Sequence, residues 1–283
     1  MINYRLKRGL KHIVIWVFIM FAIFPIIWAL SAALNPSNTL MGQRLIPENA
    51  SLKNFVALFN NKQHPFPIWI WNSVKISLIV SLITVILTSL AAYPFSRFRF
   101  KGRRQGLFII LLVQIFPQML AMVAIYLLFL NIQNYIPILS INTHMAVIVI
   151  YLGGAVGINT WLLKGYFDTI SRSLEEAAQI DGATRFQAYY KIILPLAKPI
   201  LAALFVIQFI NTYNEYVLAS IMLNSSDKFT LAVGLQMFIS ENYGQRWGVF
   251  SAAALLGAIP ITVLFLVVQD YLVTGLTGGA VKE

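Results

Sequence analysis

The chain is organised as long apolar runs separated by shorter polar segments. The first run, Ile13–Leu34, extends over 22 residues without a charged side chain. About 20 apolar residues in a helix are enough to cross the hydrocarbon core of a bilayer. Further runs of this kind follow, and the six lie at about 13–34, 73–94, 107–130, 144–163, 199–223 and 249–272. The pattern predicts an all-α integral membrane protein with six transmembrane helices.

The composition supports this prediction and excludes other classes of protein. Apolar residues make up 59% of the chain and charged residues 11%, and the mean hydropathy is +0.75. Soluble domains have about 45–50% apolar and about 25% charged residues, so a soluble chain of this kind could not cover its core. The lack of cysteine excludes disulfides, thiolate metal sites and catalysis by a thiol.

The net charge of +11 has two interpretations, a nucleic-acid surface or an uneven distribution across a membrane. Residues 96–104 hold five basic side chains in nine positions, with aromatics between them. If both termini are cytoplasmic, however, the inner segments hold 15 of the 21 Lys and Arg residues and the outer loops hold five. Because cytoplasmic loops are enriched in Lys and Arg, the pattern predicts an N-in, C-in protein surrounded by lipid, with no nucleic-acid partner.

The motifs of a self-sufficient enzyme or transporter are missing from the sequence. It has no P-loop, no HExxH and no GxSxG, and its three histidines are far apart. An ion-driven secondary transporter, the alternative class, would need intramembrane acids in several spans and a repeated architecture. One acid, Glu215, lies well inside a predicted span. We therefore expect a transport subunit that is not itself an enzyme and that binds no cofactor or metal.

The segment 164–198, called the charged segment below, is a polar interruption between two apolar runs. Within it, Ser173 with Glu176 and Thr184 with Gln187 have the spacing of capping boxes. Gly182 is placed to end the first helix, and Pro195 to end the second. One helix should present Leu174, Ala177, Ala178 and Asp181 on a face, and the other Phe186, Tyr189, Tyr190 and Ile193. Spacing alone leaves open whether this pair binds a partner or packs on its own spans.

The same residues resemble the EAA loop of ATP-binding-cassette (ABC) importer permeases. The resemblance consists of Glu176-Ala177-Ala178, then Gly182, then Ile192 and Leu194-Pro195, each at the family's spacing. It implies a type I importer permease fold in which this loop docks on a cytoplasmic ATPase. The docking positions it implies are Glu176, Ala177, Ala178, Gly182, Ala183, Phe186, Leu194 and Pro195.

The resemblance extends over nearly the whole chain, and the sequence is similar to the carbohydrate branch of the family. It includes Asn72-Ser73 and the segments 91–103, 229–238, 247–269 and 275–282, which look like the second permease of maltose/maltodextrin importers. Permeases for galacto-oligosaccharides and other sugars share much of this pattern and remain the alternative. The resemblance implies a bacterial or archaeal cytoplasmic membrane and three kinds of partner: a second permease, two ATPase subunits that bind ATP and Mg, and an extracellular sugar-binding protein. The expected parts are residues 1–70, a permease core at 71–272, and a cytoplasmic tail at 273–283.

The fifth predicted span contains a second polar group. Gln208, Asn211 and Glu215 have the spacing of one helical face, and Asn214 is adjacent. An acid within a span is a candidate for function, because its burial in lipid is costly. Two hypotheses remain open at this point, a wall of the translocation path and hydrogen bonding between helices.

Overall fold

The computed structural model describes residues 2–61, 63–115, 118–240 and 245–277. Within these ranges the chain is helical and contains no β-strand. The helices are α1 (Ile2–Leu34), α2 (Lys53–Asn60), α3 (Phe66–Arg97), α4 (Arg103–Ile115), α5 (Gln118–Ile132), a 3₁₀ turn (Pro137–Leu139), α6 (His144–Thr169), α7 (Ser173–Ile180), α8 (Arg185–Ala188), a π-helix (Tyr189–Ile193), α9 (Leu194–Leu196), α10 (Lys198–Tyr213), α11 (Val217–Met222), α12 (Leu231–Met237) and α13 (Trp247–Thr277).

Four of the described helices are long and apolar enough to cross a membrane: α1 from Arg8, α3, α6 and α13 as far as Tyr271. Two bent helix pairs bring the number to six if each pair is one span. A helix satisfies its own backbone hydrogen bonds, which lipid cannot do, so helices of this length are suited to the bilayer. The predicted all-α membrane fold is confirmed.

The predicted third and fifth spans are not single helices. The third consists of α4 and α5, with positions 116–117 between them outside the described residues. The fifth was predicted as 199–223, but α10 ends at Tyr213 and α11 begins at Val217. The carboxylate of Glu215 accepts hydrogen bonds from the N–H groups of Leu218 (2.8 Å) and Ala219 (3.1 Å). A side chain that binds the first turn of α11 competes with continuation of α10, which explains the break.

The contacts divide the chain into two compact units, residues 1–68 with 233–259 and residues 69–232 with 260–283. In the first unit, the amide of buried Asn54 donates to the carbonyls of Ala33 (2.9 Å) and Asn35 (2.8 Å). Nearby, the N–H of Val249 donates to the side chain of Asn38 (3.1 Å). These bonds join the end of α1, α2 and the start of α13.

In the second unit, side chains at the start of α3 form hydrogen bonds with main-chain atoms of the loop at 224–231. The bonds run from Trp69 Nε1 to Ser226 O (2.7 Å), from Asn72 Nδ2 to Asp227 O and Phe229 O (3.0 Å each), and from Leu231 N to Ser73 Oγ (2.7 Å). The predicted outer loop 224–247 is therefore fixed at its first part, while its positions 241–244 lie outside the described residues. Most of the predicted tail, 278–283, also lies outside them, and α13 includes its first residues.

Candidate functional site

The first helix of the charged segment, α7, begins differently from the prediction. Ser173 is the first helical residue and not the cap, which is Arg172, so the predicted box of Ser173 with Glu176 is wrong. The hydroxyl of Ser173 instead bonds that of Ser171 (2.7 Å). Glu175 and Glu176 both lie in the first turn, where acidic side chains stabilise the positive end of the helix dipole.

Gly182 ends α7, as predicted. Its φ is +86°, in the left-handed region that favours glycine. The N–H of Ala183 donates to the carbonyl of Ala178 (2.8 Å), and the N–H of Gly182 donates to that of Gln179 (3.1 Å). This pair of bonds is the Schellman motif, which satisfies the last carbonyls of a helix and fixes the direction of the chain after it.

The second helix begins with the predicted capping box. The Thr184 hydroxyl accepts from the N–H of Gln187 (3.2 Å), and the Gln187 side chain accepts from the N–H of Thr184 (2.8 Å). The prediction that this helix ends at Pro195 is wrong by one residue, because the helix continues to Leu196. Proline clashes with the carbonyl four residues earlier in an α-helix. The π-helix just before Pro195 widens the turn there, which allows the helix to pass it.

The predicted aromatic face is divided in the structure. Tyr189 and Ile193 are buried in a cluster with residues of α3, α6 and α10, whereas Phe186 and Tyr190 are exposed. The prediction placed all four residues on one face, and in the structure two of them form the buried half of that face and two its exposed half. The result is one inner pair that packs on the spans and one outer pair that faces away from them.

A buried ion pair fastens α7 to the end of α3. The carboxylate of Glu175 accepts from Arg97 Nε, and the two side chains are 7% and 6% exposed. The hydroxyl of Tyr93 donates to the other Glu175 oxygen (2.7 Å). Arg97 also donates to the carbonyl of Ile170 (2.9 Å), so both charges have several partners. We call Tyr93, Arg97 and Glu175 the clasp.

The sequence pattern missed the clasp. Glu175 is one of two adjacent acids, and Arg97 one of five basic residues in a short run, and neither position stands out. A second contact also joins the charged segment to the end of α3: Arg172 Nη2 donates to the carbonyl of Ser96 (3.1 Å). The guanidinium of Arg185 lies 5.3 Å from the centre of the Phe98 ring. Together these contacts tie both short helices to the end of α3.

The predicted docking residues fall into two groups in the structure. Glu176, Ala177, Gly182, Phe186 and Pro195 are exposed, whereas Ala178, Ala183 and Leu194 are half-buried.

Of the half-buried group, Leu194 packs against the internal cluster that holds Tyr189 and Ile193. Two further apolar side chains are exposed on α7, Leu174 and Ile180, the latter to 86%. Ile180 was not among the predicted docking residues, although its position at the tip of a charged segment could have pointed to it.

The polar residues predicted on one face of the fifth span do not lie together in the structure. Gln208 is buried, donates to Thr212 Oγ1 (3.1 Å) and accepts from the Asn159 amide on α6 (3.4 Å). Asn211 and Asn214 are exposed. Glu215 lies beyond the end of α10, so it does not share the predicted helical face.

Glu215 is half-buried at the break, where it binds the N-terminal turn of α11 and accepts from the hydroxyl of Tyr151 on α6. Its hydrogen bonds are therefore to its own chain. Within the described residues no group of three or more His, Asp or Glu side chains could hold a metal ion. The arrangement presents two short helices with exposed apolar side chains, fastened by hydrogen bonds to the end of α3.

Comparison with known proteins identifies the class. Residues 84–278, more than half of the chain, match the family model of the binding-protein-dependent transport system inner membrane component. The fold and the match define a multi-pass inner-membrane permease, and the chain belongs to this family.

Its relatives include maltose/maltodextrin transport system permease proteins MalG. The chain is 44% identical to that of Vibrio vulnificus (strain YJ016) over 283 residues, which cover 96% of this chain and 94% of the relative. It is 42% identical to that of Escherichia coli (strain K12) over 285 residues, covering 96% and 95%.

Solved structures show the same fold. A bacterial ABC transporter involved in the import of the acidic polysaccharide alginate has a chain that matches with a TM-score of 0.77 and 25% identity, over 94% of this chain and 96% of that one. A chain of a bacterial alginate ABC transporter in complex with an alginate pentasaccharide-bound periplasmic protein matches with a TM-score of 0.65 and 20% identity, over 95% and 93%. The predicted type I importer fold is thereby confirmed.

Proposed function

We propose that this chain is one of the two permease subunits of an ATP-driven sugar importer for maltose/maltodextrin-type oligosaccharides. Its identity to MalG proteins over nearly the full length supports this cargo. A related oligosaccharide, such as a galacto-oligosaccharide, is the alternative. The second permease completes the translocation path, and an extracellular binding protein delivers the sugar.

The tip of the charged segment is the proposed docking surface for an ATPase subunit. The observation that carries this proposal is an exposed apolar surface on α7 and α8, in a segment outside the long apolar helices. Ile180 is 86% and Phe186 65% exposed, and Glu176 lies in the first turn of α7. Exposed apolar side chains surrounded by polar ones are a mark of protein interfaces. The half-buried Leu194 supports the loop from inside.

The orientation follows from the same proposal. With the docking surface in the cytoplasm, both termini are cytoplasmic and most Lys and Arg residues face inward, as the positive-inside rule requires. ATP and Mg bind to the ATPase subunits, and closure of those subunits moves the docked segments. The permease pair then alternates between inward-facing and outward-facing states.

The polar group at the fifth span has two proposed roles. Gln208 joins α10 to α6 through its hydrogen bonds. Asn211 and Asn214 are exposed, and they are the candidates for the wall of the translocation path.

Co-purification tests the docking proposal. The permease is expressed with its second permease and ATPase, purified through this chain, and the bound ATPase is quantified. Ile180→Glu places a charge in the docking surface and should lower the recovered ATPase at least tenfold. Ile46→Glu is the matched control, because Ile46 is also highly exposed (83%) but lies in the polar segment after α1.

The control should recover the ATPase as the wild type does. Sugar-stimulated ATP hydrolysis in proteoliposomes is the second measurement. Equal ATPase recovery with both variants would contradict the docking surface. Failure of the unaltered chain to recover any cassette ATPase would contradict the proposed function as a whole.

A further inference from the structure

The clasp offers a route from the docking surface into the membrane. We propose that Arg97 and Glu175, supported by Tyr93, are positioning residues that make α3 follow the movement of α7. The inference rests on the proposed function, because it assigns the path by which movement of a docked ATPase reaches the spans. Glu176, the acid expected at the docking surface, is a different residue with a different role.

Burial is the first argument. The side chains of Arg97 and Glu175 are 6% and 7% exposed, although both are charged. A buried ion pair is weak as a source of stability, because desolvation offsets its attraction. A well-satisfied pair does, however, hold its partners in one geometry.

The second argument is that both charges are satisfied from several directions. Glu175 binds Arg97 through one oxygen and the Tyr93 hydroxyl through the other (2.7 Å). Arg97 also donates to the carbonyl of Ile170 (2.9 Å) and to Ser96 Oγ (3.2 Å). Glu175 thus holds α7 to two residues of α3, while the end of α6 fixes Arg97 in place, so a displacement of α7 relative to α3 strains the bonds of Glu175.

The third argument is the position of the clasp along the chain. Arg97 is the last residue of α3 and Tyr93 lies one turn before it, while Glu175 lies in the first turn of α7. The helix α3 has 32 residues and is long enough to cross a membrane. A force applied at α7 therefore enters α3 at its end, through residues on both sides of Pro94.

The key variant replaces the pair by methionines, Arg97→Met with Glu175→Met. Apolar replacement of a buried ion pair is often neutral or stabilising, so this variant should fold and assemble. It lacks the directional bonds of the clasp. We expect wild-type recovery of the ATPase and wild-type thermal stability, but at least a tenfold drop in sugar transported per ATP hydrolysed.

A second variant keeps the test valid if the methionine pair does not assemble. In this variant, Arg97→Gln with Glu175→Gln, both charges are removed together so that neither is left buried and unpaired, and the transport-to-ATP ratio should fall by a similar factor. The neighbouring Glu176→Gln is the matched comparison, because it changes an exposed acid and should reduce ATPase recovery instead. The ion pair of Arg44 with Glu48, in which both side chains are 70% exposed, provides the control, and Arg44→Met should change neither quantity.

A distance measurement separates transmission from stability. The chain has no cysteine, so Lys101→Cys and Gln179→Cys introduce the two labelling sites of this subunit, which is labelled before it is assembled with its partners. In the assembled complex the unaltered clasp should give a narrow distance distribution between the two labels, and the methionine pair a broad one.

Two results would overturn the inference while leaving the proposed function intact. The first is a methionine pair that recovers the ATPase and transports sugar at the wild-type ratio. The second is an unchanged width of the label distances. Absence of ATPase from the unaltered complex would instead contradict the proposed function.

Discussion

Substitution of Gly182 gives a sharp prediction, because its cost is confined to the backbone. The φ of Gly182 is +86°, and a Cβ added there would meet nothing within 4 Å. Any loss is therefore conformational strain and not a steric clash. The left-handed conformation costs an L-residue roughly 1–2 kcal/mol, less for asparagine and more for a β-branched residue such as valine.

This cost should appear in transport, because Gly182 sets the angle between α7 and α8. A change of about 1–2 kcal/mol alters a two-state population by a factor of about 5–30. We expect uptake of the transported sugar to decrease in the order Gly182, Gly182→Asn, Gly182→Ala and Gly182→Val, with a loss of about that factor for alanine and near abolition for valine. Uptake is measured in proteoliposomes loaded with ATP and normalised to the permease present.

Two other glycines serve as controls, one for the place of the substitution in the chain and one for the positive φ. Gly42 also has a positive φ (+69°) and free space around it, but it lies in the polar segment after α1. Gly42→Ala should carry similar strain without loss of uptake. Gly153, inside α6, has free space and no positive φ, so Gly153→Ala should be tolerated. Wild-type uptake by Gly182→Val would refute the reasoning.

Two more predictions concern packing and the broken span, and both use thermal unfolding of the purified complex. Gly248→Ala would place a Cβ in steric overlap with the amide of buried Asn54, so we expect a loss of about 1–3 kcal/mol, whereas Gly9→Ala, with free space, should be neutral. An unchanged unfolding temperature for Gly248→Ala would contradict this packing. Glu215→Gln and Tyr151→Phe each remove hydrogen bonds at the break and should destabilise by about 1–3 kcal/mol. Full stability with abolished uptake in Glu215→Gln would instead assign that residue to the translocation path.

Local chemistry made part of the charged segment predictable. Thr184 with Gln187 and the stop at Gly182 are short-range signals, and both occur as the spacing predicts. Ser173 has the same spacing to Glu176, yet the helix begins one residue too early for Ser173 to cap it. A capping motif fixes the start of a helix only when the preceding residue does not take that role.

Other features depend on contacts between distant parts of the chain. Glu175 and Glu176 are adjacent acids in one turn, and Glu175 is the one buried against Arg97 and Tyr93, 78 and 82 residues earlier in the chain. The break after Tyr213 depends on the bonds of Glu215. The broad pattern of apolar runs contains no information about such pairs, so it predicted the membrane fold but placed Glu215 within one continuous helix.

The hold of α3 on the loop at 224–231 has a consequence for how this protein can vary. The amide of Asn72, the indole of Trp69 and the hydroxyl of Ser73 all bond to main-chain atoms of that loop. Since every residue type supplies the same carbonyls, and every type except proline the same N–H, substitutions in the loop leave the groups that bond to α3 in place. Selection can therefore change the chemistry that this surface shows to a partner while its position is inherited unchanged.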